Sequence, residues 1–370
     1  MSDHGAKIRV LVVEDSSSVR ELLVHILGSD PRIAVIGTAT NGEEAIEAAR
    51  DSKPDVITMD VQMPRMNGLD ATRKIMETCP TPIVIVSGSS ARDEVAATFD
   101  ALEAGALAFV GKPNGLRHPL HGAEARHLLE TVKLMSEVRV VRRWPKRPPS
   151  SALVPPKLPV EETMTASAPI EFVAIGASTG GPVVLRTILS ELPRGLPVPM
   201  LVVQHIAAGF TEGFAEWLAQ ASGIAVRVAT DGERPVPGNA YVAPDGLHMK
   251  IVHGGKIALR RDRPENGHRP SVSVLFRSVA EVAGRRAIGV LLTGMGRDGA
   301  EELKLMKDQG AITIAQDRGS SVIHGMPGEA VNLGAATYVL PADRIAAALA
   351  NLLKPTESNA AGRAGKNHEG

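Results

Sequence analysis

Seven prolines fall between Trp144 and Pro169, in WPKRPPSSALVPPKLPVEETMTASAP, and no helical or strand period survives across them. Proline fixes φ and has no N–H to give to a helix or a ladder. The stretch is therefore expected to be an extended, solvated linker, with the chain on either side folding separately. At roughly 30 residues of flexible chain it spans about 30 Å, and more where the prolines stiffen it. A length of 370 residues suits two domains of ordinary size. The expected boundaries are a first domain over 6–130, the linker over 136–168, a second domain over 169–355 and a polar, disordered tail over 356–370. Arg139, Arg142, Arg143, Lys146 and Arg147 lead into the linker and read as a solvated helix end.

Before the linker, apolar runs alternate with amphipathic stretches. The runs are Ile8–Val13, 33–37, Val56–Met59, 83–86 and 107–110. Leu22, Leu23, Ile26 and Leu27 fall on one helical face between the first two. Five continuous apolar strands joined by helical crossovers predict a doubly wound parallel sheet, a (βα)5 flavodoxin-like unit. After the linker the alternation restarts, with strands expected at 172–176, 200–203, 226–229, 240–242, 288–292, 312–315 and Tyr338–Leu340. His248–Val252 and Lys256–Arg260 flank Gly254-Gly255 and read as a β-hairpin. Helices are expected over 182–192, 212–221, Val272–Ala283, 300–309 and 342–353. The second domain is thus a three-layer α/β fold carrying a hairpin.

Composition removes several classes. Cys79 is the only cysteine, so it can form neither an internal disulfide nor a cysteine-rich zinc site. Lys plus Arg and Asp plus Glu each total 41, which leaves no net attraction to nucleic acid or anionic membrane. No apolar run reaches the roughly 18 residues of a membrane span, and MSDHGAKIRV has no signal-peptide core. A cytoplasmic protein with no nucleic-acid partner and no membrane insertion is the expectation.

In parallel sheets, ligands gather beyond the carboxyl ends of the strands. The first strand ends in Glu14-Asp15, the third in Asp60, the fourth in Ser87 and the fifth in Lys112-Pro113. Three carboxylates on one edge repel each other, and a hard cation such as Mg²⁺ relieves this. Lys112 and the Ser87 hydroxyl then face phosphoryl oxygens, and Asp60 can take a phosphoryl group as a nucleophile. VLVVEDS, MDVQMPRMNG, VSG and AFVGKP together resemble the response-regulator receiver domain of two-component signalling. The resemblance implies phosphorylation of Asp60 by a histidine kinase. It implies Mg²⁺ held by Asp15, Asp60 and the backbone carbonyl of Gln62, with Glu14 behind them. Ser87 and Phe109 would be the switch pair. Glu14 stands where Asp is more usual, and Ala108 replaces a common acidic residue. A cis Lys112–Pro113 bond is expected in the turn after the fifth strand.

In the second domain, Gly176-Ala177-Ser178-Thr179-Gly180 follows an apolar strand and precedes a helix, the setting of a G-x-S-x-G nucleophile turn. The same turn can cradle a phosphate. A serine nucleophile needs a base, and the base needs an orienting acid. His205 ends the next strand, MLVVQH, on the same edge. Asp298 closes the loop IGVLLTGMGRDG, either as that acid or as the N-cap of the helix near Ala300. Gly294-Met295-Gly296 can offer a backbone N–H to an oxyanion.

GASTGGP, VVQHIAAGFTEGFAEWL, VLLTGMGRDGAEELKLMKDQGA and AQDRGSSVIHGMPGEAV resemble the catalytic domain of the chemotaxis protein-glutamate methylesterases, and the domain order matches that family too. The resemblance implies Ser178 as nucleophile, His205 as base, Asp298 as orienting acid, Met295 as oxyanion donor and Thr179 as support for the turn. It implies a substrate, the glutamyl methyl ester of a methyl-accepting chemoreceptor, and allows deamidation of receptor glutamines. No cofactor is expected for the esterase. Ser273 stands where the family usually carries Asp and is expected to affect the local loop or the choice of partner, not the chemistry. Phosphorylation would release a receiver that covers the esterase edge. The alternatives are a transcription factor, opposed by the absence of a compact basic helix-turn-helix pattern, and a non-catalytic scaffold or phosphate sink. The neutral total hides unlike parts. Residues 1–135 carry 14 basic and 19 acidic side chains, residues 136–168 carry 6 and 3, and residues 169–370 carry 21 and 19.

Overall fold

The computed structural model describes residues 6–88, 92–138, 140, 164, 166 and 168–354. The proline-rich stretch from 144 to 163 and the tail 356–370 lie outside the described residues. The chain divides into two compact units.

The N-terminal unit alternates β1 (Ile8–Val13), α1 (Ser17–Gly28), β2 (Ile33–Ala39), α2 (Gly42–Ser52), β3 (Val56–Met59), α3 (Gly68–Thr78), β4 (Ile83–Ser87), α4 (Arg92–Ala104), β5 (Ala108–Gly111) and α5 (His121–Ser136). Its five strands lie in the order β2-β1-β3-β4-β5, and every pair is parallel. Helices cover both faces, so β3 and β4 are buried along their whole length, which is why they read as unbroken apolar runs. Local chemistry sets the helix starts. The Asn41 side chain accepts from the N–H groups of Glu43 and Glu44, while Glu44 Oε2 reaches back to Thr40 N at 2.8 Å. The strand order reverses between β1 and β3, and the crevice beyond their carboxyl ends receives Glu14, Asp15 and Asp60.

The C-terminal unit contains β6 (Phe172–Ala177), α6 (Gly181–Glu191), β7 (Met200–Gln204), α7 (Thr211–Ser222), β8 (Ala225–Val228), β9 (Asn239–Val242), β10 (His248–Val252), β11 (Lys256–Arg260), α8 (Val272–Ala283), β12 (Ala287–Leu291), α9 (Ala300–Asp308), β13 (Ile312–Gln316), α10 (Met326–Asn332), β14 (Tyr338–Leu340) and α11 (Ala342–Leu352). Seven parallel strands run in the order β14-β13-β12-β6-β7-β9-β8, and β10–β11 form a separate antiparallel hairpin. Chain order runs outward from β12 through β13 to β14 and from β6 to β7 on the other side, where β8 lies outside β9, so the switch point lies between β6 and β12. The main core lies on one face, where Leu275, Phe276 and Val279 of α8 meet Leu201 and Val203 of β7 and Met249 and Ile257 of the hairpin.

Helix α10 was not expected. Its seven residues, MPGEAVN, hold a proline and a glycine that hide the helical period. The cis expectation for Lys112–Pro113 is not met; among the described residues the cis bond is Arg269–Pro270. The trans form keeps its intrinsic preference after Lys112.

Candidate functional site

Strand register brings three chain segments together at the switch point. Gly176 pairs with Leu291 on one side and Val203 on the other. One step further on, Ser178 N donates to Thr293 O at 3.0 Å and His205 N donates to Ala177 O at 2.9 Å. Gln204 Nε2 donates to the carbonyls of both Ser178 and His205 at 2.8 Å, holding the two backbones side by side. The two motif glycines serve different ends. Gly180 has φ +79°, the left-handed turn that starts α6. Gly176 is extended, but a Cβ there would come within 2.3 Å of Val272 Cγ1.

His205 Nε2 lies 2.9 Å from Asp298 Oδ2, and both side chains are buried. Among the described residues, His205 Nδ1, also buried, has no hydrogen-bond partner. The ring's free nitrogen is therefore Nδ1. Asp298 accepts four further hydrogen bonds. They come from Val272 N at 2.7 Å, Ser271 Oγ at 2.8 Å, Asn266 Nδ2 at 3.0 Å and Ser273 N at 3.2 Å. Two of these donors are the first N–H groups of α8, so the carboxylate also sits at a helix N-terminus. Burial alone would raise its pKa. The hydrogen bond and charge of His205, then Asn266 and Ser271, overcome this and hold the carboxyl well below the usual carboxylate range.

Asp298 does not cap α9; Gly299 is the residue before that helix, at φ +85°. Ser273 lies closer to the chemistry than the sequence suggested. Besides its amide bond to Asp298, its hydroxyl accepts from Gly299 N at 2.9 Å and from Asn266 Nδ2 at 3.1 Å. An Asp here would put a second carboxylate against Asp298.

The 293–296 loop is fixed from both sides. Thr293 N donates to Gln316 Oε1, and Thr293 Oγ1 donates to Thr179 O at 3.0 Å. Gly294 O accepts from Gly325 N and Met326 N. A Cβ on Gly294 would lie 2.7 Å from Ser178 Cβ, which measures how closely the loop packs on the serine. Among the described residues, neither Met295 N–H nor Thr179 N–H has an acceptor. A buried acid, a histidine with one free nitrogen, a serine on a tight turn and two free amides can carry out acyl transfer.

In the N-terminal unit, oxygens of Glu14, Asp15 and Asp60 lie within 4.8 Å of one another. Lys112 Nζ is 2.9 Å from Asp60 Oδ2 and 3.0 Å from Glu14 Oε2. The second contact is not aligned as a hydrogen bond, so Glu14 Oε2 is a buried acceptor with no hydrogen bond among the described residues. Burial, then the Asp60 charge, pushes the Glu14 carboxyl up to about 7 against the pull of Lys112. Burial likewise raises Asp60. One lysine does not compensate three carboxylates, and the donor set, all hard oxygen, fits a divalent cation. Ser87 ends β4, fully buried and paired with Gly111. Phe109 on β5 is half-buried and meets Phe99 edge-on at 5.8 Å. Gln62 is exposed, two residues past Asp60. Lys112 is thus on Asp60 itself, not held apart for a phosphoryl oxygen.

Asn266, Ser271, His268, Gln204 and Gln316 escaped the sequence analysis. The His268 ring stacks on His205 with centroids 3.8 Å apart and planes 9° apart. The Asn266-Gly267 dipeptide is a turn signal that points to the first and third of these.

Residues 173–349 match the family described as CheB methylesterase, and residues 10–121 match the response regulator receiver domain. A protein-glutamate methylesterase/protein-glutamine glutaminase of Nitrosospira multiformis is 58% identical, over 94% of this chain and 97% of its own length. A similarly named protein of Geobacter metallireducens is 56% identical, over 93% and 99%. The crystal structure of the Thermotoga maritima CheB methylesterase catalytic domain is similar at 38% identity and a TM-score of 0.48, over 50% of this chain and 98% of that one.

Proposed function

The chain belongs to the receiver-linked CheB family of protein-glutamate methylesterases/protein-glutamine glutaminases, and from that premise we propose that it hydrolyses glutamyl methyl esters on chemoreceptors under the control of phosphorylation. The observation that carries the proposal is the His205–Asp298 contact at 2.9 Å, on a strand end whose backbone is bonded to that of Ala177, next to Ser178.

In this mechanism the Ser178 oxygen attacks the ester carbonyl carbon while His205 Nδ1 takes the hydroxyl proton. Asp298 holds the opposite nitrogen and stabilises the imidazolium that forms. The Met295 N–H, joined by that of Thr179, receives the oxyanion. As the tetrahedral species collapses, the proton passes from Nδ1 to the leaving methoxide, and methanol departs. Water then gives its proton to Nδ1 and its oxygen to the acyl carbon, freeing glutamate and Ser178. A glutamine side chain enters the same acyl-enzyme with ammonia as leaving group.

The proposed input is transfer of a phosphoryl group from a histidine kinase to Asp60. Asp15, Asp60 and the Gln62 carbonyl, with Glu14 behind them, would hold Mg²⁺, which would supply positive charge to the carboxylates and phosphoryl oxygens. Lys112 gives up its contact with Asp60 Oδ2 and pairs with the new phosphoryl oxygens. Ser87 and Phe109 report the change. The proposed address is the cytoplasm; no helix among the described residues is long and apolar enough to cross a membrane.

Methanol release from methylated receptor measures the activity. Wild type is expected to release methanol, faster with a small-molecule phosphodonor. Ser178→Ala is expected to abolish release, and Asp60→Asn to abolish only the stimulation. Full release by Ser178→Ala would refute the mechanism. If the wild type releases no methanol and its Ser178 does not react with a fluorophosphonate, the scaffold alternative is favoured.

A further inference from the structure

Residues 261–270 form a strap without helix or strand that carries one tight turn beside His205 and Asp298. Glu265 N donates to His268 O at 3.0 Å, and His268 N donates to Glu265 O at 2.9 Å. The two residues between them, Asn266 and Gly267, have φ of +53° and +82°. Positive φ at both central positions is what a type I′ turn requires, and Asn-Gly is its favoured sequence. The turn is therefore a stiff four-residue plate.

Three of its side chains are in use. Asn266 donates to Asp298, and His268 stacks on His205. Glu265 points the other way and meets Arg277 in a two-pronged pair, at 2.5 Å to Nη2 and 3.2 Å to Nη1. The same Nη2 reaches Glu302 at 2.7 Å. Arg277 lies on α8, whose first N–H groups hold Asp298. Glu302 lies on α9, which begins two residues after Asp298. One guanidinium thus ties the turn to both helices that frame the acid. Bidentate geometry fixes direction as well as distance, so it does more than a surface ion pair.

We propose that Arg277 is a positioning residue for the reaction: through Glu265 it seats the 265–268 turn against His205 and Asp298. The proposal rests on Ser178, His205 and Asp298 acting as described above. Without the clasp the turn is free to lift. His205 then loses its stacked neighbour and Asp298 loses one donor, while the ester-binding surface is unchanged.

The test uses Arg277→Met and Glu265→Gln in the full chain. Ser178 labelling by a fluorophosphonate reports activation of the serine whatever ester the enzyme consumes, so its outcome stands apart from the methanol assay. Titration with the same probe counts folded sites. The labelling rate per site is expected to fall about 10- to 100-fold in Arg277→Met, the scale of a small misplacement of a catalytic group. Methanol release should lose kcat with KM held. The double variant should be no slower than Arg277→Met alone, since both substitutions cut the same link. Glu265→Gln leaves the turn's backbone bonds in place, so it carries the test if Arg277→Met does not fold. An unchanged labelling rate per site, a rise in KM at constant kcat, or losses that multiply in the double variant would each overturn the proposal.

Discussion

Asp298→Asn replaces a carboxylate oxygen by an NH₂ group in a pocket where every neighbour donates. With the amide nitrogen at the Oδ2 position it faces Val272 N–H, 2.7 Å from that oxygen in the wild type, and His205 Nε2 at 2.9 Å. With the nitrogen at the Oδ1 position it faces Ser273 N–H at 3.2 Å and Asn266 Nδ2 at 3.0 Å. The Ser271 hydroxyl can rotate to accept; a backbone N–H cannot. Either orientation strands at least one buried amide, at about 1–3 kcal/mol for each unsatisfied group. The first orientation also forces His205 into the tautomer with its proton on Nδ1, where it cannot take one from Ser178. Loss of the correct tautomer costs about 10⁴ in kcat in the worked serine-protease example, or about 5.5 kcal/mol at 1.36 per tenfold. The expected result is methanol release lowered by about 10³–10⁴, with KM little changed.

The pH dependence of stability gives a second signature. The folded pKa of Asp298 is depressed, so its contribution is complete above the unfolded value of about 4 and is lost as pH falls below it. The melting temperature of Asp298→Asn should thus lie below wild type at pH 7, and the gap should narrow on acidification below about pH 4. Retention of a tenth or more of wild-type kcat, or a gap that does not depend on pH, would refute this account of the acid.

Two other outcomes follow from the geometry. Gly294→Ala places a methyl 2.5 Å from Met326 Sδ and 2.7 Å from Ser178 Cβ. The methionine can move but the serine cannot without losing its place, so thermal unfolding should show a loss of about 1–3 kcal/mol and methanol release a clear fall in kcat. In the N-terminal unit, Mg²⁺ at 100 times its dissociation constant should add about 2.7 kcal/mol of stability. Asp15→Asn should remove most of that gain in a magnesium titration followed by melting temperature, and an undiminished gain would argue against the carboxylate site.

The fold was largely legible because the central strands of both sheets are buried on both faces. Strands such as Ile83–Ser87 then appear as plain apolar runs, and their carboxyl ends name the crevice. His205 and Asp298 could be picked out because each ends or follows such a strand. The residues that hold Asp298 could not. Asn266, Ser271 and Ser273 belong to a strap and a helix start, and nothing local tells a turn over solvent from a turn over a buried carboxylate. The hydrogen bonds run 25 to 32 positions along the chain, beyond any period. Helix α10 was hidden for the opposite reason, a local one, since Pro327 and Gly328 mask its seven residues.

Val272 is the first residue of α8, and it is wedged between two backbones. A Cβ on Gly176 would meet its Cγ1 at 2.3 Å, and a Cβ on Gly299 would meet the same atom at 2.4 Å. The first glycine of the G-x-S-x-G string therefore says little about the serine. It marks how near a helix can come from behind, and that nearness is what lets the helix's opening amides reach Asp298. One branched side chain sets the size allowed at two positions more than a hundred residues apart. Positions 176, 272 and 299 form a single volume shared by the strand before Ser178 and the loop that carries Asp298, so a methyl group added at either glycine must be taken from the valine.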